Sequence, residues 1–221
     1  MLNYLYLSMF SFNTYRLYLI IAITFQVFFY ADVVARSVNY VELKETYGQN
    51  KSFTPSTELP ALIALSFYPE LKDVIITFEE RPIKTTMAAR PHMGQLLLRD
   101  RSYYIFINNA AEKLGSVSFH ELSLEAQVGI IAHELSHIVD YHQKKTLSMF
   151  KCGLYYMMFK NYHKEMERAT DLDVINRGLG KQLHDFADYV INKSNASTEY
   201  KSFKLNNYLS PKEILNKIND R

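Results

Sequence analysis

The hydrophobic and polar positions of this chain keep two different rhythms. Between residues 70 and 108 the apolar residues come in short β-branched or aromatic runs: Asp73-Val74-Ile75-Ile76-Thr77-Phe78, Thr85 to Ala89, Leu96 to Leu98, and Ser102-Tyr103-Tyr104-Ile105-Phe106-Ile107-Asn108. Such runs predict strands, and Arg99-Asp100-Arg101 predicts the turn of a hairpin joining the last two. Pro91 lacks an amide donor, so its region suits an edge strand better than a central one. Leu59 to Phe67, closed by Pro69, predicts a short helix, and residues 110–122 a connector turning at Gly115 and Ser116. From residue 124 the apolar positions recur three and four apart instead. Ser123 predicts the cap of a helix over Leu124–His142. Residues 146–177 and Lys181–Lys193 keep the helical spacing, with Gly178 and Gly180 ending the first of them. Ser194–Lys204 reads as a polar loop, and Ser210-Pro211-Lys212-Glu213 as a capping box opening a last short helix. A small, mostly antiparallel sheet followed by helices is an α+β domain.

The front of the chain has a third character. Residues 17–31 carry no charge, Arg16 precedes them, and Val33-Val34-Ala35 offers small residues at a signal-peptidase spacing. About fifteen residues is short for a bilayer span and suits the apolar region of a signal peptide. Residues 1–35 are therefore expected to be a signal peptide, with an uncleaved N-terminal anchor as the alternative, and Met9 is a candidate true start. That implies export, to a periplasm or outside the cell, and leaves residues 36–221 as one domain. Nearly half of the 221 residues are hydrophobic, enough for a core, and the net charge of +2 gives no basis for nucleic-acid binding. The single cysteine, Cys152, has no partner for an internal disulfide and sits in an apolar run.

Candidate chemistry lies on the helix that Ser123 opens. His133 and His137, four residues apart, stand one above the other on one helical face, close enough to reach one ion. Glu134 lies about 100° round from His133, placed to hold a metal-bound water without ligating. The histidines fall among Ile131, Ala132, Leu135 and Ile138, and so face the interior or its edge. Unpartnered polar groups there cost roughly 1–3 kcal/mol each, and one Zn2+ ion per chain would partner them together. The bland alternative is a hydrogen-bonded polar seam with no metal.

A zinc site of this kind takes a third protein ligand and leaves one position open. The downstream candidates are His142, His163, Glu165, Glu167 and Asp171. A metzincin pattern would need glycine at 140 and histidine at 143, where this chain has Asp140 and Gln143. Glu167 is the better candidate, with Asp171 four residues on along the same face, able to accept the free N–H of a ligating histidine. Glu165 is the fallback ligand.

The segments Ala126-Gln127-Val128-Gly129-Ile130-Ile131-Ala132-His133-Glu134-Leu135-Ser136-His137 and Glu167-Arg168-Ala169-Thr170-Asp171 resemble those of a gluzincin zinc metallopeptidase. More narrowly, the chain is similar over about residues 70–180 to minimal soluble members of the family of CAAX prenyl proteases and heat-shock membrane metallopeptidases. It departs from them where the usual Ala-Asp pair is Thr170-Asp171. The membrane setting and prenylated substrates of the larger relatives do not carry over. The resemblance implies a zincin-like fold and a zinc-dependent endopeptidase acting on a peptide or protein substrate. His133, His137 and Glu167 would be the ligands and Glu134 the general base. It also implies an oxyanion donor, for which His163 and Tyr208 are the two candidates. An edge strand for an extended peptide would come from residues 85–90 or 102–108. Two rival readings are a catalytically idle zincin used as a binding module, and a membrane-associated partner protein using the run Met149–Phe159 or an uncleaved N-terminal segment.

Overall fold

A computed structural model of the chain describes residues 39–95, 101–144 and 158–220. The chain divides into two compact units, Met1–Glu42 and Leu43–Arg221. Of the first, residues 39–42 are described and are helical. The predicted signal segment, the expected strand Leu96–Leu98 with Arg99 and Asp100 of its turn, Cys152, and the run Met149–Phe159 up to residue 157 lie outside the described residues. No helix among the described residues is long and apolar enough to cross a membrane.

Among the described residues of the second unit, four strands form one sheet: β1 (Lys51–Ser52), β2 (Ile76–Arg81), β3 (Met87–Pro91) and β4 (Tyr103–Asn108), in the order β1-β2-β4-β3. Alternate residues point one way. Ile76 and Phe78, Met87 and Ala89, and Tyr103, Ile105 and Ile107 are all buried on the core face. The expected mostly antiparallel sheet is instead mixed: β1–β2 and β2–β4 pair parallel, and only β3–β4 pair antiparallel. Pro91, with no amide donor, suits β3 to the edge it occupies, with β4 between it and β2.

After helical residues 43–47 come α1 (Glu58–Leu65) and α2 (Ala111–Leu114), the latter closed by Gly115 at φ 67°. The central element is α3 (Leu124–Gln143), where Ser123 Oγ accepts the Ala126 amide at 3.3 Å. From Val128 to Val139 every residue of α3 is buried, because β3, α1, α4 (Lys160–Val174) and α5 (Gly180–Asp188) pack around it. Between α4 and α5 a wide turn over Ile175–Leu179 holds Gly178 at φ 91°, a backbone region that favours glycine. This bend folds α5 back along α3, and there the backbones nearly touch: a Cβ on Gly129 would sit 2.2 Å from Gln182 O. Residues 194–204, expected as a polar loop, contain most of α6 (Thr198–Asn207). Ser197 caps it by accepting the Tyr200 amide at 3.1 Å, and buried Tyr200 docks it on the core. The last helix, α7 (Pro211–Asn219), carries the complete capping box of Ser210 and Glu213.

A polar network ties the back of α3 to α1 and α4. Tyr68 Oη lies 2.8 Å from both Ala132 O and Ser136 Oγ, and the Ser136 hydroxyl donates to Asp173 Oδ2 at 2.8 Å. Arg177 completes it, donating to Asp173 (2.8 Å), Phe67 O (3.1 Å) and Glu70 (2.6 Å) while lying over the Tyr68 ring.

Candidate metal centre

On the front of α3, His133 and His137 stand one turn apart facing α4. There Glu167 and Asp171 stand one turn apart in the same way, so two helical repeats meet. His133 Nε2 is 3.0 Å from Glu167 Oε2, His137 Nε2 is 3.2 Å from the same oxygen, and the two Nε2 atoms are 3.1 Å apart. All three residues are buried. They form a group of ligand-bearing side chains able to hold a metal ion. Three ligands of a tetrahedral ion with bonds of 2.0–2.1 Å stand about 3.3–3.4 Å from one another. The triangle here is close to that size.

The other ends of the rings decide where the protons are. His133 Nδ1 is 2.8 Å from Asp171 Oδ1, a carboxylate oxygen that can only accept, so Nδ1 carries a proton. Asp171 is fixed in turn by the Leu209 amide, which donates to Oδ2 at 2.8 Å. His137 Nδ1 lies 3.4 Å from Thr170 Oγ1, whose own hydrogen goes to Met166 O at 2.9 Å, so the threonine accepts here. Held this way, the two rings turn their Nε2 atoms, and Glu167 an oxygen, toward one point. Such a cluster demands positive charge. Burial works against the charged form of His133, but its hydrogen bonds to Asp171 and Glu167 outweigh burial and push it up to about 10. Burial likewise opposes ionised Glu167, yet the charge of His137 and hydrogen bonds from His133, His137 and His163 hold its carboxyl well below the usual range. One proton bridges such a triangle partially, whereas a divalent ion engages all three atoms. The donor set fits a metal ion.

Glu134 is buried beside the triangle and contributes nothing to it; its Oε2 accepts the Ala89 amide at 2.6 Å. His163 Nε2 lies 3.2 Å from Glu167 Oε1, one turn back on α4, and its ring stacks on Phe203. The Tyr208 ring lies 5.5 Å from that of His133, and the Lys204 ammonium sits over its face at 3.7 Å. Glu165 is exposed, and His142 is exposed at the end of α3 near the Tyr103 hydroxyl; neither joins the cluster. Three contacts had no sequence signal: the Ala89 amide on Glu134, the Leu209 amide on Asp171, and Tyr141 stacked on His137 at 6.0 Å. The first two are backbone groups that any residue but proline supplies. Thr170 had a signal in its departure from the resembled Ala-Asp pair: alanine has no oxygen to offer His137.

No protein-family model matches the chain, and no curated protein or solved structure matches it either.

Proposed function

We propose that the chain is a zinc-dependent endopeptidase of zincin-like fold. The observation that carries this reading is the convergence of His133, His137 and Glu167 from two helices into one buried triangle, with the unligated Glu134 carboxylate beside it. His133, His137 and Glu167 would hold the zinc, which when bound supplies Lewis acidity to a water and to the scissile carbonyl. Asp171 and Thr170 fix the ring orientation of the two histidines, which keeps both Nε2 atoms aimed inward. Glu134 takes the proton of the attacking water and delivers it to the leaving amine. The two candidate oxyanion donors are His163, beside Glu167, and Tyr208, whose ring lies 5.5 Å from that of His133. The expected export of the chain belongs to the same proposal, and N-terminal sequencing of the mature product tests it.

Two measurements on the purified chain decide the reading. Elemental analysis is expected to give about one zinc per chain, sharply reduced in Glu167→Ala. Casein cleavage is expected in the wild type and lost in Glu134→Gln with zinc retained. A metal-free protein after reconstitution would overturn the metal centre. A zinc-loaded protein whose activity survives Glu134→Gln would overturn the mechanism.

A further inference from the structure

An antiparallel strand docks by exchanging both an N–H and a C=O with a single residue of the strand it joins, and residues along an edge alternate between facing inward and outward. In β3, Thr86 O accepts the Asn108 amide at 3.0 Å and the His92 amide donates to Ser102 O at 2.9 Å. Residues 86, 88, 90 and 92 therefore turn their backbone groups to β4, and residues 87, 89 and 91 turn theirs to the open edge. Met87 O is taken by the Thr85 hydroxyl at 2.7 Å. Pro91 has no amide hydrogen. The Ala89 N–H is taken by Glu134 Oε2 at 2.6 Å, with both residues buried.

We propose that β3 serves the site by holding the base through the Ala89 amide. The Ala89 amide fixes Glu134 Oε2 and leaves Oε1 to exchange the proton, which makes Ala89 a positioning residue. The catalytic consequence rests on the peptidase reading; the contact itself does not.

The test uses the full zinc-loaded chain and two independent readouts. In the amide spectrum, the Ala89 proton is expected far downfield and is expected to move upfield in Glu134→Ala; an unmoved resonance overturns the proposal even if the chain cleaves nothing. In casein cleavage, Ala89→Pro is expected to lower kcat by roughly 10- to 100-fold with KM unchanged, as for a misplaced catalytic group. Ala89→Gly, which keeps the amide, is expected to stay near wild type. A docking strand would instead show a raised KM with kcat preserved, which overturns the proposal. Pro91 already seats a proline on this edge; should Ala89→Pro still fail to fold, an ester in place of the Ala88–Ala89 amide removes only the hydrogen. Full kcat in the ester variant overturns the proposal. Absence of cleavage by the wild type would refute the peptidase reading and leave the spectral test standing.

Discussion

The two faces of α3 both carry buried polar groups that reach α4, and they balance their hydrogens differently. On the back, Tyr68, Ser136 and Arg177 supply donors, and Ala132 O, Phe67 O, Asp173 and Glu70 accept them. On the front, two Nε2 atoms and a carboxylate oxygen converge with acceptors in surplus. A matched network holds helices together, whereas a surplus of buried acceptors calls for a cation. Polar burial alone therefore says little about function. The count of hydrogens separates a clamp from a binding site.

That contrast is open to attack from both sides. Its largest expected consequence is on the front: Glu134→Gln should lower kcat/KM by about 10²–10⁴-fold with zinc retained, read by casein cleavage beside elemental analysis. Next, Asp171→Asn, which weakens the hold on His133, should cost about 10–100-fold in zinc affinity in a chelator competition, while zinc-loaded protein keeps its fold. On the back, Tyr68→Phe should destabilise by roughly 1–3 kcal/mol in denaturant titration and leave zinc stoichiometry untouched. A loss of zinc in Tyr68→Phe would erase the distinction between the faces.

Smaller effects sharpen it through pH. Metal-free His133 has its pKa pushed up to about 10, against an ordinary value of 6.5. Its stabilising contribution is then complete below about 6.5 and is lost as pH rises through 10. Zinc must displace that proton, so proton release on zinc binding, measured calorimetrically in buffers of different ionisation heat, should be seen at neutral pH. The smallest effect concerns the ion pair joining α4 to α7. Arg168, with help from Ser210, brings the Glu213 carboxyl down to about 2. A lowered value gives stability that is present above about 4.5 and fades as pH falls toward 2. Glu213 is 43% exposed, so screening limits the effect to under about 1 kcal/mol. Acid unfolding of Glu213→Gln beside the wild type measures it.

What the sequence made legible was local. Ser123 and Ser210–Glu213 announced helix starts because a cap is a contact between near neighbours, and the His133–His137 and Glu167–Asp171 spacings announced two faces because one helical turn repeats. That the two faces meet is a tertiary fact, which the need for a third ligand and the Glu167–Asp171 spacing suggested and the resemblance reinforced. The parallel pairing of β2 with β4 was hidden because strand patterns carry no direction. Helix α6 reads as a loop because its short sequence is mostly polar, and packing through Tyr200 overrides that preference. The Ala89 and Leu209 amides were illegible for the simplest reason: backbone groups leave no mark in a sequence.

Residues 160–188 work as a clasp with two jaws. One jaw, α4, brings Glu167 and Asp171 to the histidines; the other, α5, bears on α3 at Gly129, one turn before His133. Gly178 is the bend between them. During synthesis the histidines emerge first, and the clasp follows only when α5 has left the ribosome. Were an ion held by His133, His137 and Glu167, its capture would wait at least until α4 has been made and folded onto α3.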